Sequence, residues 1–175
     1  MSETPAEVSP SVQHREAAPD VVRCAVLTVS DTRTEETDTS GALIRQVLTD
    51  AGHVIADYRI VKDEPFEIRD RLAAWTSHDG VDAVLTNGGT GIANRDTTYD
   101  VIAGLLDKRL DGFGELFRML SFAEIGAAAM LSRAVAGVYR GRVIVAMPGS
   151  TNAVRLAMER LVVPELAHMV YELRK

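Results

Sequence analysis

Four apolar runs rich in β-branched residues constrain this chain more than any other feature: "VVRCAVLTVS" at 21 to 30, "HVIADYRIV" at 53 to 61, "VDAVLT" at 81 to 86 and "RVIVAM" at 142 to 147. Helical periods separate the first three. Leu43, Ile44, Val47 and Leu48 recur at helical spacing before a stop at Ala51-Gly52, and Ile68, Leu72 and Trp75 form a second stripe behind Pro65, a favoured first-turn residue. Strands alternating with helices of this length require right-handed crossovers, so the expected fold is α/β, a mostly parallel sheet with helices on both faces. The segment 99 to 133 reads as two or three short helices around a turn at Gly112 to Gly114. The C-terminal stripe Val154, Met158, Leu161, Val162, Leu166, Met169 and Val170 reads as core packing, part of it free to face another subunit.

A parallel sheet of this kind binds ligands in the crevice at the carboxyl ends of its strands. The loops expected there are "SDTRTEETDTSG" (30 to 41), "KDEP" (62 to 65), "NGGTGIANRDTT" (87 to 98) and "PGSTN" (148 to 152). Consecutive glycines after a strand let backbone N–H groups approach an anion without an intervening Cβ, and the helix that follows adds its positive end. Gly88, Gly89, Thr90 and Gly91 therefore read as a phosphate or carboxylate cradle. No Gly-Lys-Ser/Thr follows, which excludes a Walker A loop, and the glycine spacing excludes a dinucleotide fingerprint.

Arg95 offers a forked donor to phosphate oxygens, whereas Asp96 beside it suits a phosphate site only with a cation between them. Asp63 is the second carboxylate of such a shell, or else the N-terminal cap of the helix that begins near Pro65. The 30 to 41 loop supplies Ser30, Asp31, Arg33, Thr37, Asp38, Thr39, Ser40 and Gly41, more polar groups than capping alone requires. Pro148, Gly149 and Ser150 open either an N-cap or a second anion or ribose site. Glu115 and Arg118, at i and i+3, read as a surface ion pair. The four histidines, His14, His53, His78 and His168, lack metal-ligand spacing and read as surface or packing residues.

Composition bounds the setting. A chain of 175 residues with 46% hydrophobic content buries one substantial core, read as a domain at 21 to 175. Residues 1 to 20, rich in Pro, Glu, Ser and Ala, read as a disordered tail without the apolar core of a signal peptide. One cysteine and no apolar run of spanning length predict a cytoplasmic protein without a membrane partner. A net charge of -6 argues against a general nucleic-acid surface.

Taken in order, "LTVSDTR", "DTSG", "VKDEP", "TNGGTG", "RDTTYD", "GFGELFRMLSF", "EIG", "SRAVAG" and "AMPGST" resemble the MoaB/MogA family of molybdenum cofactor biosynthesis proteins. That family has the three-layer molybdopterin-binding fold shared with the G domain of gephyrin, and the resemblance, over about residues 21 to 173, is closer to the MoaB branch. It implies Mg²⁺- and ATP-dependent adenylylation of molybdopterin with release of pyrophosphate; the alternative is a non-catalytic molybdopterin carrier of the same pathway. The essential acids of the family match Asp63 and Asp96, which some members of the MoaB branch lack. Ser30, Asp31, Thr39, Ser40, Gly41, Gly88 to Gly91, Arg95, Thr97, Pro148, Gly149 and Ser150 fall at nucleotide- or pterin-binding positions, as do Glu115, Arg118, Ser132 and Arg133. The resemblance further implies a homo-oligomer, hexamer or trimer, and hand-off to a molybdenum-insertion enzyme; the apolar stretch "FAEIGAAAML" is a candidate contact between subunits.

Overall fold

The computed structural model describes residues 18 to 175, so all but the last few residues of the N-terminal tail, and His14, lie outside the described residues. Strand β1 (Arg23–Val29) leads into helix α1 (Thr39–Asp50), β2 (Val54–Val61), α2 (Pro65–Thr76), β3 (Ala83–Asn87) and α3 (Thr98–Leu105). A short β4 (Lys108–Arg109) precedes α4 (Asp111–Ile125) and a 3₁₀ turn (Gly126–Leu131). Strands β5 (Val135–Tyr139) and β6 (Arg142–Met147) are followed by α5 (Thr151–Ala157), a π-helical turn (Met158–Val162) and α6 (Val163–Arg174).

The six strands form one sheet in the order β2-β1-β3-β6-β5-β4. The neighbours from β2 to β6 are parallel, whereas β5 and β4 pair antiparallel at one edge. Alternate residues of each strand supply the two faces, as the two-residue strand period demands. On one face Cys24, Val26, Leu85 and Val145 pack with Ile44, Leu48, Phe117, Met158 and Leu166. On the other, Ala25, Leu27, Val84 and Ile144 pack with Ile68, Leu72, Trp75, Val101 and Ile102. This is the expected three-layer arrangement. Each large apolar side chain fully buried in it contributes roughly 1.5–3 kcal/mol.

Two local readings change. Gly112 and Gly114 lie inside the first turn of α4 and not in a turn between helices. The stripe Phe113, Phe117 and Leu120 packs on the first core layer, and burial of that face outweighs the helix cost of two glycines. The hairpin β5–β6 was not expected; Arg140 and Gly141, with φ of 49° and 71°, form its two-residue turn.

Candidate active site

Four strand ends put the predicted loops side by side. Leaving β1, β2, β3 and β6, the chain passes through Ser30, Asp63, Gly88 and Gly149, which line one cleft of about 370 Å³ together with Asp31, Arg33, Arg95, Asp96 and Ser150. A second hollow of about 380 Å³ continues from it over Thr90, Gly91, Ser132 and Pro148, sharing Gly88, Gly89, Asp96 and Gly149.

The glycines are required by packing as well as by the bareness argued from sequence. Gly88 has φ +94°, and a Cβ there would stand 2.2 Å from the carbonyl oxygen of Val29. Gly89 has φ +62°, and its Cβ would stand 2.1 Å from Asp63 Oδ2. Any side chain at either position meets both a left-handed backbone and an occupied volume. The amide of Gly88 donates to the Met147 carbonyl at 3.1 Å, so it is not part of the anion cradle. The amides of Gly89, Thr90 and Gly91 make no hydrogen bond among the described residues and remain available.

Asp63 is not a helix cap. The cap position of α2 belongs to Glu64, without a side-chain capping bond, because the Asp63 carboxylate turns across the sheet end. Its Oδ1 accepts from the Thr97 amide at 3.0 Å and the Thr97 hydroxyl at 2.6 Å. Among the described residues its Oδ2 accepts nothing and no cationic side chain pairs with it, although the residue is only 5% exposed. A carboxylate oxygen left open on the cleft is a ready ligand for a bound cation. Asp96, half-buried on the same cleft, accepts from the Ala93 amide at 3.1 Å. No cluster of three or more potential metal ligands occurs among the described residues. Two hard carboxylates without an amine or thiol ligand fit Mg²⁺, whose remaining ligands come from water and substrate phosphate.

Arg95 does not point freely into the cleft. Its Nε and Nη2 donate to Asp31 at 2.7 and 2.9 Å, and its Nη1 donates to Glu64 at 2.6 Å, tying the loops after β1, β2 and β3 together. The Arg95 hydrogen bond holds the Asp31 carboxyl below its usual range against the opposing effect of burial. Thr97 positions Asp63, and Arg133 supports the glycine loop by donating to the carbonyls of Thr90 at 2.9 Å and Gly91 at 2.6 Å. Ser40 donates to the Gly149 carbonyl at 2.8 Å, and Thr39 meets Thr151 across 3.0 Å, so the first loop is fastened to the last. Ser150 caps α5 through the Ala153 amide. Ser30 accepts from the amides of Thr32 and Arg33.

The sequence through residues 25–168 matches the family described as probable molybdopterin binding domain. The chain belongs to that family. It is 56% identical over 164 residues to molybdenum cofactor biosynthesis protein B of Halalkalibacterium halodurans, covering 93% of this chain and 96% of that protein. The Bacillus subtilis protein of the same description is 55% identical over 164 residues, with coverage of 93% and 96%. A crystal structure of a molybdenum cofactor biosynthesis protein B matches with a TM-score of 0.87 at 53% identity, over 90% of this chain and 98% of that one. The tungsten cofactor synthesizing protein MoaB from Pyrococcus furiosus matches with a TM-score of 0.82 at 38% identity, over 90% and 100%. Family membership places the chain in molybdenum cofactor biosynthesis, with a molybdopterin-related small molecule as its partner.

In this MoaB/MogA family member, Glu115 and Arg118 line a separate hollow with Tyr99, Arg109 and Ala134 and do not reach the cleft. They do not form the surface ion pair that their spacing allows, and neither has a hydrogen-bonded partner among the described residues. His53 is a packing residue, its Nδ1 accepting from the buried Val22 amide at 3.3 Å. Along α4 and the 3₁₀ turn, Leu116, Met119, Phe122, Ile125, Met130 and Leu131 are exposed. No helix among the described residues is long and apolar enough to cross a membrane.

Sequence reasoning named Arg33 and Asp38 only as members of a polar loop, and missed Tyr58 and Asn87 altogether. Asp38 is 1% exposed and caps α1 by accepting from the Gly41 amide at 2.9 Å. The "DTSG" spacing carries that cap signal. Nothing local announces that the Tyr58 hydroxyl, 20 residues away, also donates to Asp38 at 2.6 Å.

Proposed function

We propose that this chain adenylylates molybdopterin. A non-bridging oxygen of the terminal phosphate of molybdopterin bonds to the α-phosphorus of ATP. The α–β bridging P–O bond breaks, and its electron pair departs with pyrophosphate. No protein atom joins the substrate covalently. The protein aligns two anions and offsets their repulsion. The free amides of Gly89, Thr90 and Gly91 donate to phosphate oxygens, and the Ser150 end of α5 faces the same cleft. Asp63 and Asp96 would hold Mg²⁺, which supplies charge neutralisation on the phosphates.

The observation that carries this reading is Asp63: a carboxylate 5% exposed, with one oxygen fixed by Thr97 and the other unpaired beside the glycine cradle. A carrier of molybdopterin has no need of such a group. The test is pyrophosphate release from purified protein given molybdopterin, ATP and magnesium, with molybdopterin omitted as control. Release that requires the pterin is expected, and tight pterin binding without release leaves the carrier reading in its place. The reading extends to a cytoplasmic homo-oligomer, trimer or hexamer, built on the exposed face of α4 and handing its product to a molybdenum-insertion enzyme. Apolar patches of that kind mark protein contacts.

A further inference from the structure

Along the cleft floor, a chain of hydrogen bonds connects the glycine loop to the Pro148-Gly149 loop through Thr28, Asp38 and Arg33. Asn87, the last residue of β3 and the neighbour of Gly88, donates its Nδ2 to Thr28 Oγ1 at 2.9 Å. The Thr28 hydroxyl donates onward to Asp38 Oδ2, which also receives the Tyr58 hydroxyl. The other oxygen of Asp38 receives the Gly41 amide at 2.9 Å and Arg33 Nη1 at 3.2 Å. Arg33 then reaches out with Nη2 to the Gly149 carbonyl at 3.3 Å, while its Nη1 also bonds Ser40 Oγ at 3.2 Å. The circuit closes by contact, because Gly149 lies so near Gly88 that a Cβ on it would stand 3.1 Å from Gly88 Cα.

Every acceptor site of the Asp38 carboxylate is thus turned toward structure, and Arg33 is its one cationic partner among the described residues. Burial pushes the Asp38 carboxyl up, but the bonds from Thr28, Tyr58, Gly41 and Arg33 outweigh it and hold the group ionised and below its usual range. Hydrogen bonds to a charged acceptor are shorter and stronger than neutral ones, so this node is stiffer than an uncharged one of the same shape. Arg33 joins that node to the Gly149 carbonyl, which Ser40 Oγ also holds at 2.8 Å, with a planar fork that a lysine lacks.

We propose that Arg33, anchored on Asp38, is a positioning residue that sets the spacing between the glycine loop and the Pro148-Gly149 loop, and with it the alignment of the two phosphates each loop holds. The inference rests on the adenylylation reading for its kinetic consequence but not for its structural one. Misplacing reacting groups by about 1 Å costs up to about a hundredfold in rate while leaving each binding site intact. Arg33→Ala should therefore lower kcat for pyrophosphate release by about tenfold or more. The dissociation constants of ATP alone and of molybdopterin alone should change by much less than kcat, because the amides of both loops are retained. Arg33→Lys should fail to restore kcat, whereas free guanidinium ion added to Arg33→Ala should restore part of it.

Amide hydrogen exchange of the full chain gives the second readout. In Arg33→Ala, the amides of Gly88 to Gly91 and of Gly149 and Ser150 should exchange faster by about tenfold, while core amides of β1 and β3 remain unchanged. Unchanged exchange in both loops overturns the proposal whatever the activity. Loss of ATP or molybdopterin binding in parallel with kcat also overturns it, by making Arg33 a ligand-contact residue. If the unaltered protein releases no pyrophosphate, the adenylylation reading fails, and exchange decides the loop-spacing role by itself.

Discussion

Two buried aspartates at opposite ends of the same sheet show what distinguishes a structural charge from a site. Asp82 immediately precedes β3 at the amino end, and Asp63 follows β2 at the carboxyl end; each is 5% exposed. Asp82 is fully occupied. Its Oδ2 takes the Arg23 amide at 2.9 Å and Arg23 Nε at 3.1 Å, and its Oδ1 takes Arg23 Nη2 at 3.0 Å and Arg174 Nη2 at 2.6 Å. Among the described residues, Asp63 takes two bonds on one oxygen, none on the other, and no cation. The same residue type, equally buried, is neutralised from within the chain at one end and left to be neutralised from outside at the other. Parallel strands bring this about, because their carboxyl ends release loops that carry glycines and polar side chains, while their amino ends receive tight helix exits.

The contrast predicts opposite consequences for one substitution. Asp63→Asn keeps the acceptor oxygen that Thr97 uses, so its thermal midpoint should match the wild type within about 2 °C, a shift expected of a few tenths of a kcal/mol. Its pyrophosphate release should fall about a thousandfold, or ~4 kcal/mol, the scale on which metal charge stabilisation acts. Activity surviving in that variant would reduce Asp63 to a loop anchor and dissolve the contrast. Next in size is Gly88→Ala, since its Cβ meets a backbone oxygen at 2.2 Å with φ at +94°. We expect a loss of about 3 kcal/mol in denaturant unfolding, with activity lost as well. Smaller again is Asp82→Asn, which should cost about 1–2 kcal/mol, because Arg23 and Arg174 are half exposed and water takes over part of the pairing. Its activity per folded molecule should be unchanged.

The same contrast explains what could be read from the sequence. The parallel sheet, the two helical layers and the set of loops at its carboxyl end were legible, because each rests on apolar periodicity or on glycine runs spanning few residues. The placement of Asp63 and Asp96 on one cleft was legible for the same reason, since topology alone puts the carboxyl ends of β2 and β3 at one edge of the sheet, on either side of β1. What each side chain does there was not. Arg95 spends its guanidinium on Asp31 and Glu64, 64 and 31 residues away, and Arg133 holds Thr90 and Gly91, 43 and 42 residues away. Such partners have no local signature. The hairpin at β5–β6 escaped because Arg-Gly is not among the usual turn pairs, and the glycines of α4 suggested a break that the buried Phe117 overrides.

The smallest expected effect is the one that isolates charge from shape at the amino end. Burial pushes the Asp82 carboxyl up, but the side-chain and backbone bonds from Arg23 and the charge of Arg174 outweigh it, so the folded value lies below the ordinary one. A carboxyl depressed by folding contributes stability that is present above its unfolded value of about 4 and is lost as pH falls through the folded value. The stability gap between wild type and Asp82→Asn, measured by urea unfolding, should therefore stay level from pH 7 to about 5 and shrink progressively below about 4. A gap that holds its size down to pH 3 would mean that Asp82 acts by shape and hydrogen bonding alone. The two aspartates would then differ in occupancy but not in the use each makes of its charge.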